Sequence, residues 1–386
     1  MFDVPVSEER AQPRLRFACQ ALERFVEDLA PGTKLPNVRG LRDELGVSLT
    51  TLYAAFEELE ERGVLERRPN VGVFVAPRTI HEIVLLCDPS FFEGNSQSPL
   101  WGALARELRL HAEREGSTLR FEFSRVAGSN HPPVSSLLAK SLAQGQVHGV
   151  LALGLHRQTM NWLQEQGVPT VGFACGSARG HHVGYAHEIE FFQEAAQLLL
   201  DAGTRCVEVW IPVLHWLWSS FPDARARWQS YDGYLKELAR RAFGTFPGEV
   251  HARSVSDFLA PSEVESLSYE AQGRALVERV FDARGGRAMW PDGLLLWDDL
   301  LAHGALGAME ERNIRAGRDV QVVSQSNAGS PVLERERGTL TLLEFSPREV
   351  VDAMFERLHA LMRGESVAPS IHLIHAHRRD IKRELL

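Results

Sequence analysis

The feature that most constrains this chain is the regular alternation of strand-like and helix-like segments over most of its length. Ile83 to Cys87 is a continuous apolar run of strand length, and Leu100, Leu104 and Leu108 follow it at helical spacing. Further strands are predicted at Leu119–Phe123, His148–Leu153, Pro169–Phe173, Cys206–Ile211, Gly293–Trp297, Val320–Ser324, Leu340–Leu343 and Ile371–Leu373. Because repeated strand–helix units form parallel sheets, we expect an α/β domain that binds ligands at the carboxyl ends of its strands.

The start of the chain has a different pattern. Apolar residues recur with helical spacing over residues 14–30. Asn37 and Ser48 are cap residues that predict the starts of two shorter helices, which Gly46 separates. Two short apolar strands and a turn follow over residues 64–76. Three helices followed by a hairpin predict a winged helix-turn-helix.

The residues of this segment resemble the GntR family of bacterial regulators. The matching motifs are Pro31-Gly32-Thr33-Lys34-Leu35-Pro36, Arg39-Gly40-Leu41, Leu45-Gly46-Val47-Ser48, Thr50-Thr51-Leu52-Tyr53 and the wing Gly72-Val73-Phe74-Val75. The resemblance implies a DNA-binding domain whose third helix enters the major groove.

The candidate DNA-binding residues lie on the third helix and around it. Thr50, Thr51 and Tyr53 are at the start of this helix, opposite its apolar face, and Ser48 precedes them. The other candidates, placed to contact phosphates or the adjacent minor groove, are Arg39, Arg67, Arg68 and Gly72.

The winged helix also departs from the family pattern. Leu49 and Tyr53 stand where the resemblance leads one to expect arginines, and Asn70-Val71 forms the wing tip where a glycine and a basic residue are usual. Residues 31–78 contain seven basic and seven acidic side chains, and the whole chain has a formal net charge of −9. We therefore expect unusual base specificity and modest monomer affinity. A winged helix used for protein contact is the alternative interpretation.

The α/β region resembles the LacI-type sensor domain and the periplasmic sugar-binding proteins. The resemblance is carried by the order and spacing of several stretches, above all Asp292-Gly293-Leu294-Leu295-Leu296-Trp297-Asp298-Asp299. It implies two α/β lobes with parallel sheets, joined by three crossings, and a small molecule in the cleft between them. The fold class expected for the whole chain is thus α/β, with an N-terminal winged helix before a two-lobe periplasmic-binding-protein-like domain.

The candidate ligand-binding residues are Trp101, His156, Arg227, Asp299 and Gln325. An aromatic face stacks well on sugar C–H groups, and carboxylates and amides bind hydroxyls. Three of these assignments have a simpler alternative: Trp101 as core packing, Asp299 as a helix N-cap, and His156 as a solvated loop residue.

Two departures bear on which ligand is expected. Ser230 stands where the resemblance predicts an arginine, and Arg227, one turn earlier, is the substitute. Tyr185 lies near the position of the usual crossover aspartate. We expect a sugar or sugar derivative other than the family's common simple sugars.

The sequence offers no motif for catalysis. It has no GxSxG, GxxxxGK or HExxH pattern, and the four lysines lack the context of a pyridoxal-phosphate site. Cys175 is interpreted as a small residue packed at a strand end, and the histidines lack partners at metal-ligand spacing. We expect no catalytic residues, no metal and no cofactor, and a cytoplasmic protein that does not associate with membranes.

The expected domains are a disordered N-terminus over 1–13, a DNA-binding domain over 14–77, a linker over 78–82 and a sensor over 83–380. Lobe 1 is assigned about 83–185 and 327–344, and lobe 2 about 188–325 and 347–380. The chain is predicted to be a bacterial repressor that binds operator DNA as a homodimer and responds to a small-molecule effector. The alternative is a small-molecule-binding protein whose winged helix contacts another protein.

Overall fold

The computed structural model describes residues 11–27, 29–30, 32–69, 71–76, 81–89, 98–125, 132–176, 180–185, 189–213, 224–264, 266–283, 287–336 and 339–379. The chain divides into two compact units, Met1–Ile80 and His81–Leu386.

The first unit is a winged helix-turn-helix. Its elements are α1 (Ala11–Glu27), α2 (Val38–Leu45), α3 (Leu49–Glu61), β1 (Leu65–Arg68) and β2 (Gly72–Val75). The predicted caps are confirmed: Asn37 Oδ1 accepts the Gly40 amide at 2.8 Å, and Ser48 Oγ accepts the Thr51 amide at 3.0 Å. Gly46 ends α2 in the left-handed conformation, which a glycine adopts without strain. The turn between α2 and α3 therefore follows from local sequence.

The core of this unit lies where the three helices meet the hairpin. β1 and β2 pair antiparallel, from Leu65 opposite Val75 to Arg68 opposite Gly72. The fully buried side chains are Ala18, Leu22, Leu52, Ala55, Phe56 and Leu59. The apolar face of α3 is therefore directed inward, and the opposite face of its first turns stays accessible.

The second unit contains two six-stranded sheets flanked by helices. Its strands are β3 (Glu82–Cys87), β4 (Thr118–Phe123), β5 (Gly149–Leu153), β6 (Thr170–Phe173), β7 (His181–Tyr185), β8 (Cys206–Trp210), β9 (Glu249–Arg253), β10 (Gly293–Leu296), β11 (Gln321–Asn327), β12 (Thr341–Phe345), β13 (Ile371–Ile374) and β14 (His377–Arg379). Its helices are α4 (Pro99–Glu115), α5 (Ser136–Ala143), α6 (Arg157–Glu165), α7 (Ile189–Asp201), α8 (Ala224–Ala242), α9 (Pro261–Val264), α10 (Tyr269–Val277), α11 (Asp299–Glu311) and α12 (Pro347–Met362).

Each sheet forms one lobe. The sheet of lobe 1 has the order β13-β7-β6-β5-β3-β4, and all its neighbouring strands are parallel. The sheet of lobe 2 has the order β14-β12-β11-β10-β8-β9, and only the edge strand β14 runs antiparallel. The parallel sheets were expected from the alternating pattern, and the two lobes from the resemblance to the LacI-type sensor domain.

The division of the later segments between the lobes was wrong in the sequence analysis. Segment 327–344 was assigned to lobe 1, but β12 pairs with β11 in lobe 2. Segment 347–380 was assigned to lobe 2, but α12 packs on α4 and β6, and β13 pairs with β7 in lobe 1. The cause is that an apolar strand or helix pattern does not reveal which of two similar parallel sheets the segment joins.

The chain therefore crosses between the lobes after Tyr185, after Phe345 and after Ile374. Two of these residues, Tyr185 and Phe345, end strands at the carboxyl edges where the sheets of the two lobes face the same cleft. The crossings bring polar and aromatic side chains of both lobes together.

Candidate DNA-binding surface and ligand cleft

The start of α3 presents an uncharged surface to solvent. Thr50 and Tyr53 are exposed, and the Tyr53 ring makes an edge contact with Phe56 at 6.2 Å between centroids. The hydroxyls of Ser48 and Thr51 are hydrogen-bonded to each other at 2.8 Å. The four candidate residues of the recognition helix thus form one continuous patch at its amino end.

Two candidate arginines of the wing are already paired with carboxylates. Arg67 Nε donates to Glu60 Oε2 at 2.5 Å, and the Arg67 amide donates to Glu60 Oε1 at 3.0 Å. These hydrogen bonds lower the pKa of Glu60, so that the carboxylate stays ionised. Arg68 donates to both carboxylate oxygens of Glu66, at 3.0 and 3.1 Å. A phosphate must compete with Glu60 and Glu66 for these guanidinium groups.

Arg39 differs from the other arginines of this surface. Arg42 pairs with Asp43, and Arg62 pairs with Glu23. Arg39 is exposed and has no carboxylate partner among the described residues. An exposed guanidinium without an acidic partner is the group best able to bind a phosphate. Gly72, in the wing, has φ +142°, and a Cβ there would lie 2.8 Å from the Lys34 side chain.

The candidate ligand cleft lies where strand ends of both lobes meet. Tyr185, at the end of β7, donates its hydroxyl to Asn327 Oδ1 of β11 at 2.9 Å. The same ring stacks on Phe345, at the end of β12, with 4.1 Å between centroids. Burial and the nearby Asp299 carboxylate raise the pKa of the Tyr185 hydroxyl, which therefore remains a proton donor. Tyr185 joins the two lobes directly.

Two adjacent carboxyl groups lie at the amino end of α11. Asp298 is the N-cap, and its Oδ1 accepts the amides of Leu300 and Leu301 at 2.9 and 3.0 Å. The alternative interpretation of Asp299 as the cap is therefore wrong. Asp299 is the first residue of the helix and is 2 % exposed, and its Oδ2 accepts the Ser330 hydroxyl at 2.7 Å.

The electrostatics of this carboxyl pair follow from its burial. Loss of solvation raises the pKa of both Asp298 and Asp299, and the charge of Asp299 raises that of Asp298 further. The two groups therefore titrate as a pair. Asp299 Oδ1 is buried and accepts no hydrogen bond within the described part of the chain.

Gln325 is a second buried acceptor of the cleft. It was predicted just beyond a strand end, which is wrong, because β11 continues to Asn327. The side chains of the polar run Ser324 to Asn327 are all buried, and this run hides the end of the strand in the sequence. Gln325 is 8 % exposed, and within the described ranges its Oε1 has no donor.

The other ligand-binding candidates lie in helices or at a helix start. Trp101 belongs to the first turn of α4, where it is 7 % exposed and contacts Phe173 edge to face at 6.2 Å. His156 precedes α6, is half-buried, and makes no side-chain cap hydrogen bond. Arg227 lies in α8, and its side chain falls outside the described residues. Their roles in binding stay predictions.

Several residues of the candidate cleft were not predicted from the sequence. Tyr185 was noted only as a departure, and Asn327, Ser330 and Phe345 were not considered, although a polar residue at a strand's carboxyl end is a usable signal. Elsewhere, Cys175 Sγ donates to the carbonyls of Phe173 and Ala152, and burial raises the pKa of its thiol to about 12, in keeping with a packed structural residue.

One group of side chains brings several metal-ligand types together in the described part of the chain. Cys206, Glu249 and His251 lie at the amino ends of β8 and β9, at the edge of the lobe 2 sheet opposite the cleft. The Glu249 side chain is 77 % exposed. From the sequence, the histidines considered as metal ligands were His181, His182, His372, His375 and His377, and His251 was not among them.

These features define a protein that carries a winged helix-turn-helix followed by a two-lobe α/β domain. Residues 19–75 match the bacterial regulatory proteins of the gntR family, and residues 231–380 match the periplasmic binding protein-like domain. The chain thus carries a GntR-type helix-turn-helix followed by a periplasmic-binding-protein-like domain with the LacI-type fold.

Two curated relatives match short stretches of this chain. The HTH-type transcriptional regulator Rv1152 of Mycobacterium tuberculosis is 44 % identical over 48 residues, which are 12 % of this chain and 40 % of that protein. The HTH-type transcriptional regulator YhcF of Bacillus subtilis is 35 % identical over 65 residues, 17 % of this chain and 54 % of that protein. The chain thus spans about half the length of these curated relatives.

Solved structures share the fold. The Lac repressor dimer bound to operator and the anti-inducer ONPF has a TM-score of 0.54 at 15 % identity, over 78 % of this chain and 94 % of that chain. The complex of the transcriptional regulator CelR with cellobiose has a TM-score of 0.52 at 19 % identity, over 90 % and 99 %. CcpA of Lactococcus lactis has a TM-score of 0.51 at 18 % identity, over 78 % and 98 %. None of the described helices is long and apolar enough to cross a membrane.

Proposed function

We propose that this protein is a transcription regulator that binds operator DNA as a homodimer through the winged helix and responds to a sugar or sugar derivative in the cleft. In this proposal the protein is not an enzyme. The proposed protein represses transcription, and binding of the effector relieves this repression. Among the structural neighbours, the Lac repressor is a dimer bound to operator, and CelR is in complex with cellobiose.

The observation that carries the effector proposal is the pair of buried acceptors in lobe 2. Asp299 Oδ1 and Gln325 Oε1 accept no hydrogen bond from the described residues, and a buried acceptor without a donor costs about 1–3 kcal/mol. A ligand rich in hydroxyl groups supplies the missing donors. The aromatic residue Trp101 of lobe 1 provides an apolar surface of the kind that packs on a sugar ring.

The proposed coupling to DNA follows from the two-lobe fold. A ligand that contacts Asp299 in lobe 2 and Trp101 in lobe 1 stabilises one angle between the lobes over others. In a homodimer this angle sets the spacing of the two winged helices, and therefore the fit to the two half-sites of an operator. A coupling of about 1–3 kcal/mol, typical of such proteins, changes operator affinity by about 5- to 150-fold.

The DNA-binding proposal is tested by fluorescence anisotropy with duplexes from the gene's own upstream region and a scrambled duplex, at low and moderate salt. Sequence-dependent binding is the expected result. The variant Glu60→Gln removes the charge that holds the Arg67 guanidinium but keeps an acceptor for the Arg67 amide. It should bind more tightly at low salt if Arg67 contacts a phosphate.

The effector proposal is tested by thermal shift with a panel of neutral mono- and disaccharides. A sugar that raises the unfolding temperature of the wild type should lose this effect in Asp299→Asn. It should keep the effect in Asp201→Asn, a control at an exposed aspartate of α7. Equal stabilisation of Asp299→Asn and the wild type would remove Asp299 from the binding site.

The second candidate function is a ligand-binding protein whose winged helix contacts another protein. The pairing of Arg67 with Glu60 and of Arg68 with Glu66 favours it, because both pairs reduce the positive charge available to DNA. No preference for any upstream duplex over the scrambled one, at either salt and with or without a stabilising sugar, would support this candidate over the first.

A further inference from the structure

The first turns of the recognition helix contain no side chain that can make the common bidentate hydrogen bonds to bases. Residues 47–56 read Val-Ser-Leu-Thr-Thr-Leu-Tyr-Ala-Ala-Phe, without a charged or amide side chain. Guanine is usually read by arginine or lysine, and adenine by asparagine or glutamine. This segment must therefore use a different kind of base contact if it reads the major groove.

Two large apolar side chains occupy the positions from which such contacts would come. Leu49 is 41 % exposed and Tyr53 is 50 % exposed. They are one helical turn apart, so their side chains lie on the same face of α3. They border the buried face of the helix, which is formed by Leu52, Phe56 and Leu59, and the Tyr53 ring contacts Phe56.

Some of the polar groups beside these two residues already make hydrogen bonds within the protein. Ser48 Oγ accepts the Thr51 amide and is hydrogen-bonded to Thr51 Oγ1, so the two hydroxyls satisfy each other and the helix end. Thr50 is exposed and adds one more methyl group and one hydroxyl. The accessible surface at the amino end of α3 is therefore mainly apolar.

The DNA group that matches an apolar surface in the major groove is the 5-methyl group of thymine. We propose that Leu49 and Tyr53 read thymine methyl groups, so that the operator half-site has A·T pairs at the positions facing this end of α3. This inference rests on the proposed function, because it takes the winged helix to bind operator DNA. In this arrangement Arg39 supplies phosphate contact without base specificity.

The experiment starts from a selection of duplexes from a random pool with the full-length protein. Each thymine of the selected half-site is then replaced in turn by deoxyuridine, which lacks only the 5-methyl group. Loss of a buried methyl contact should weaken binding of the wild-type protein about fivefold at one or more positions. Leu49→Ala and Tyr53→Ala should each bind the original duplex more weakly and lose the effect of deoxyuridine at the position they contact.

Two further variants make the test specific. Leu137→Ala replaces a leucine that is 65 % exposed on α5, outside the winged helix, and should behave like the wild type. Leu49→Arg should shift the selected half-site toward guanine at the position that Leu49 contacts. Thermal unfolding of each variant shows that the fold is kept.

The outcomes separate this inference from the proposed function. Sequence-selective binding that is insensitive to deoxyuridine at every thymine, or a half-site with only G·C pairs facing α3, overturns the reading of thymine methyls and leaves the regulator intact. Failure to select any sequence overturns the regulator, and the reading of thymine with it. If Leu49 and Tyr53 bind a protein and not DNA, the selection will likewise yield no preferred sequence.

Discussion

Helices α10 and α11 approach each other so closely that glycine is required on both sides. A Cβ built on Gly304 would lie 1.9 Å from the carbonyl oxygen of Glu270, and one built on Gly273 would lie 2.1 Å from the carbonyl oxygen of Leu301. The obstructing atoms belong to the backbone, so they cannot rotate away as a flexible side chain would. This crossing fixes the helix that begins with Asp299, and we predict that Gly304→Ala destabilises the second unit.

The magnitude follows from the geometry. An ordinary contact distance of 3.4 Å requires the two helices to separate by about 1.5 Å. Overpacking of this kind costs up to about 3 kcal/mol, because separation also opens gaps around buried neighbours such as Leu276 and Ala305. The better helix propensity of alanine offsets about 1 kcal/mol. The expected net loss of unfolding free energy is about 2 kcal/mol.

Urea unfolding followed by tryptophan fluorescence measures this loss. Gly307→Ala is the matched control, because it makes the same substitution on the same helix and its Cβ would meet only Arg274 Nη1, at 3.7 Å. This control should be neutral or stabilised by up to about 1 kcal/mol. Equal unfolding midpoints for the two variants would refute the argument that the crossing depends on Gly304.

Three further predictions concern single groups. Arg39→Ala should lower operator affinity and reduce the slope of log K against log salt by about 0.9, measured by anisotropy, and an unchanged slope would exclude a phosphate contact. Because burial raises the pKa values of Asp298 and Asp299, the folded state binds more protons than the unfolded chain above about pH 4, so their contribution to stability falls as pH rises toward the folded-state values. Asp298→Asn keeps the helix cap and should make the free energy of unfolding depend less on pH. A pH profile of unfolding identical to that of the wild type would argue against a raised pKa of Asp298. Tyr185→Phe removes the hydrogen bond to Asn327 and should cost about 1–2 kcal/mol in thermal unfolding, whereas an unchanged midpoint would show that this bond contributes nothing.

The parts of the fold that depend on local chemistry were predictable from the sequence. Asn37 and Ser48 cap their helices as predicted, because a cap needs only the residue and the next three amides. Most of the parallel strands were also recovered from apolar runs, but β7 and β9 were not predicted. The sequence did not predict to which lobes β12 and α12 belong, because this depends on the strands and helices that they contact in the fold.

The candidate site shows the same limit at the level of single residues. Asp299 was proposed from its motif, but the motif could not show that Asp298 takes the cap and that Asp299 Oδ1 has no donor among the described residues. Gln325 was proposed too, but the end of its strand was misjudged, because buried polar strands look like loops in sequence. Burial and hydrogen-bond partners, which only the fold supplies, distinguish a binding residue from a structural one.

The cleft and the connection between the lobes share the same residues. Tyr185 precedes the first crossing and Phe345 the second, and their rings are stacked at 4.1 Å. Tyr185 also donates to Asn327, and the Asp299 carboxylate acts on its hydroxyl through space. A ligand that donates a hydrogen bond to Asp299 therefore changes the charge distribution beside the residue that joins the lobes. In the proposed regulator, an effector bound at Asp299 would therefore act on the lobe angle through Tyr185, without a longer intervening chain of residues.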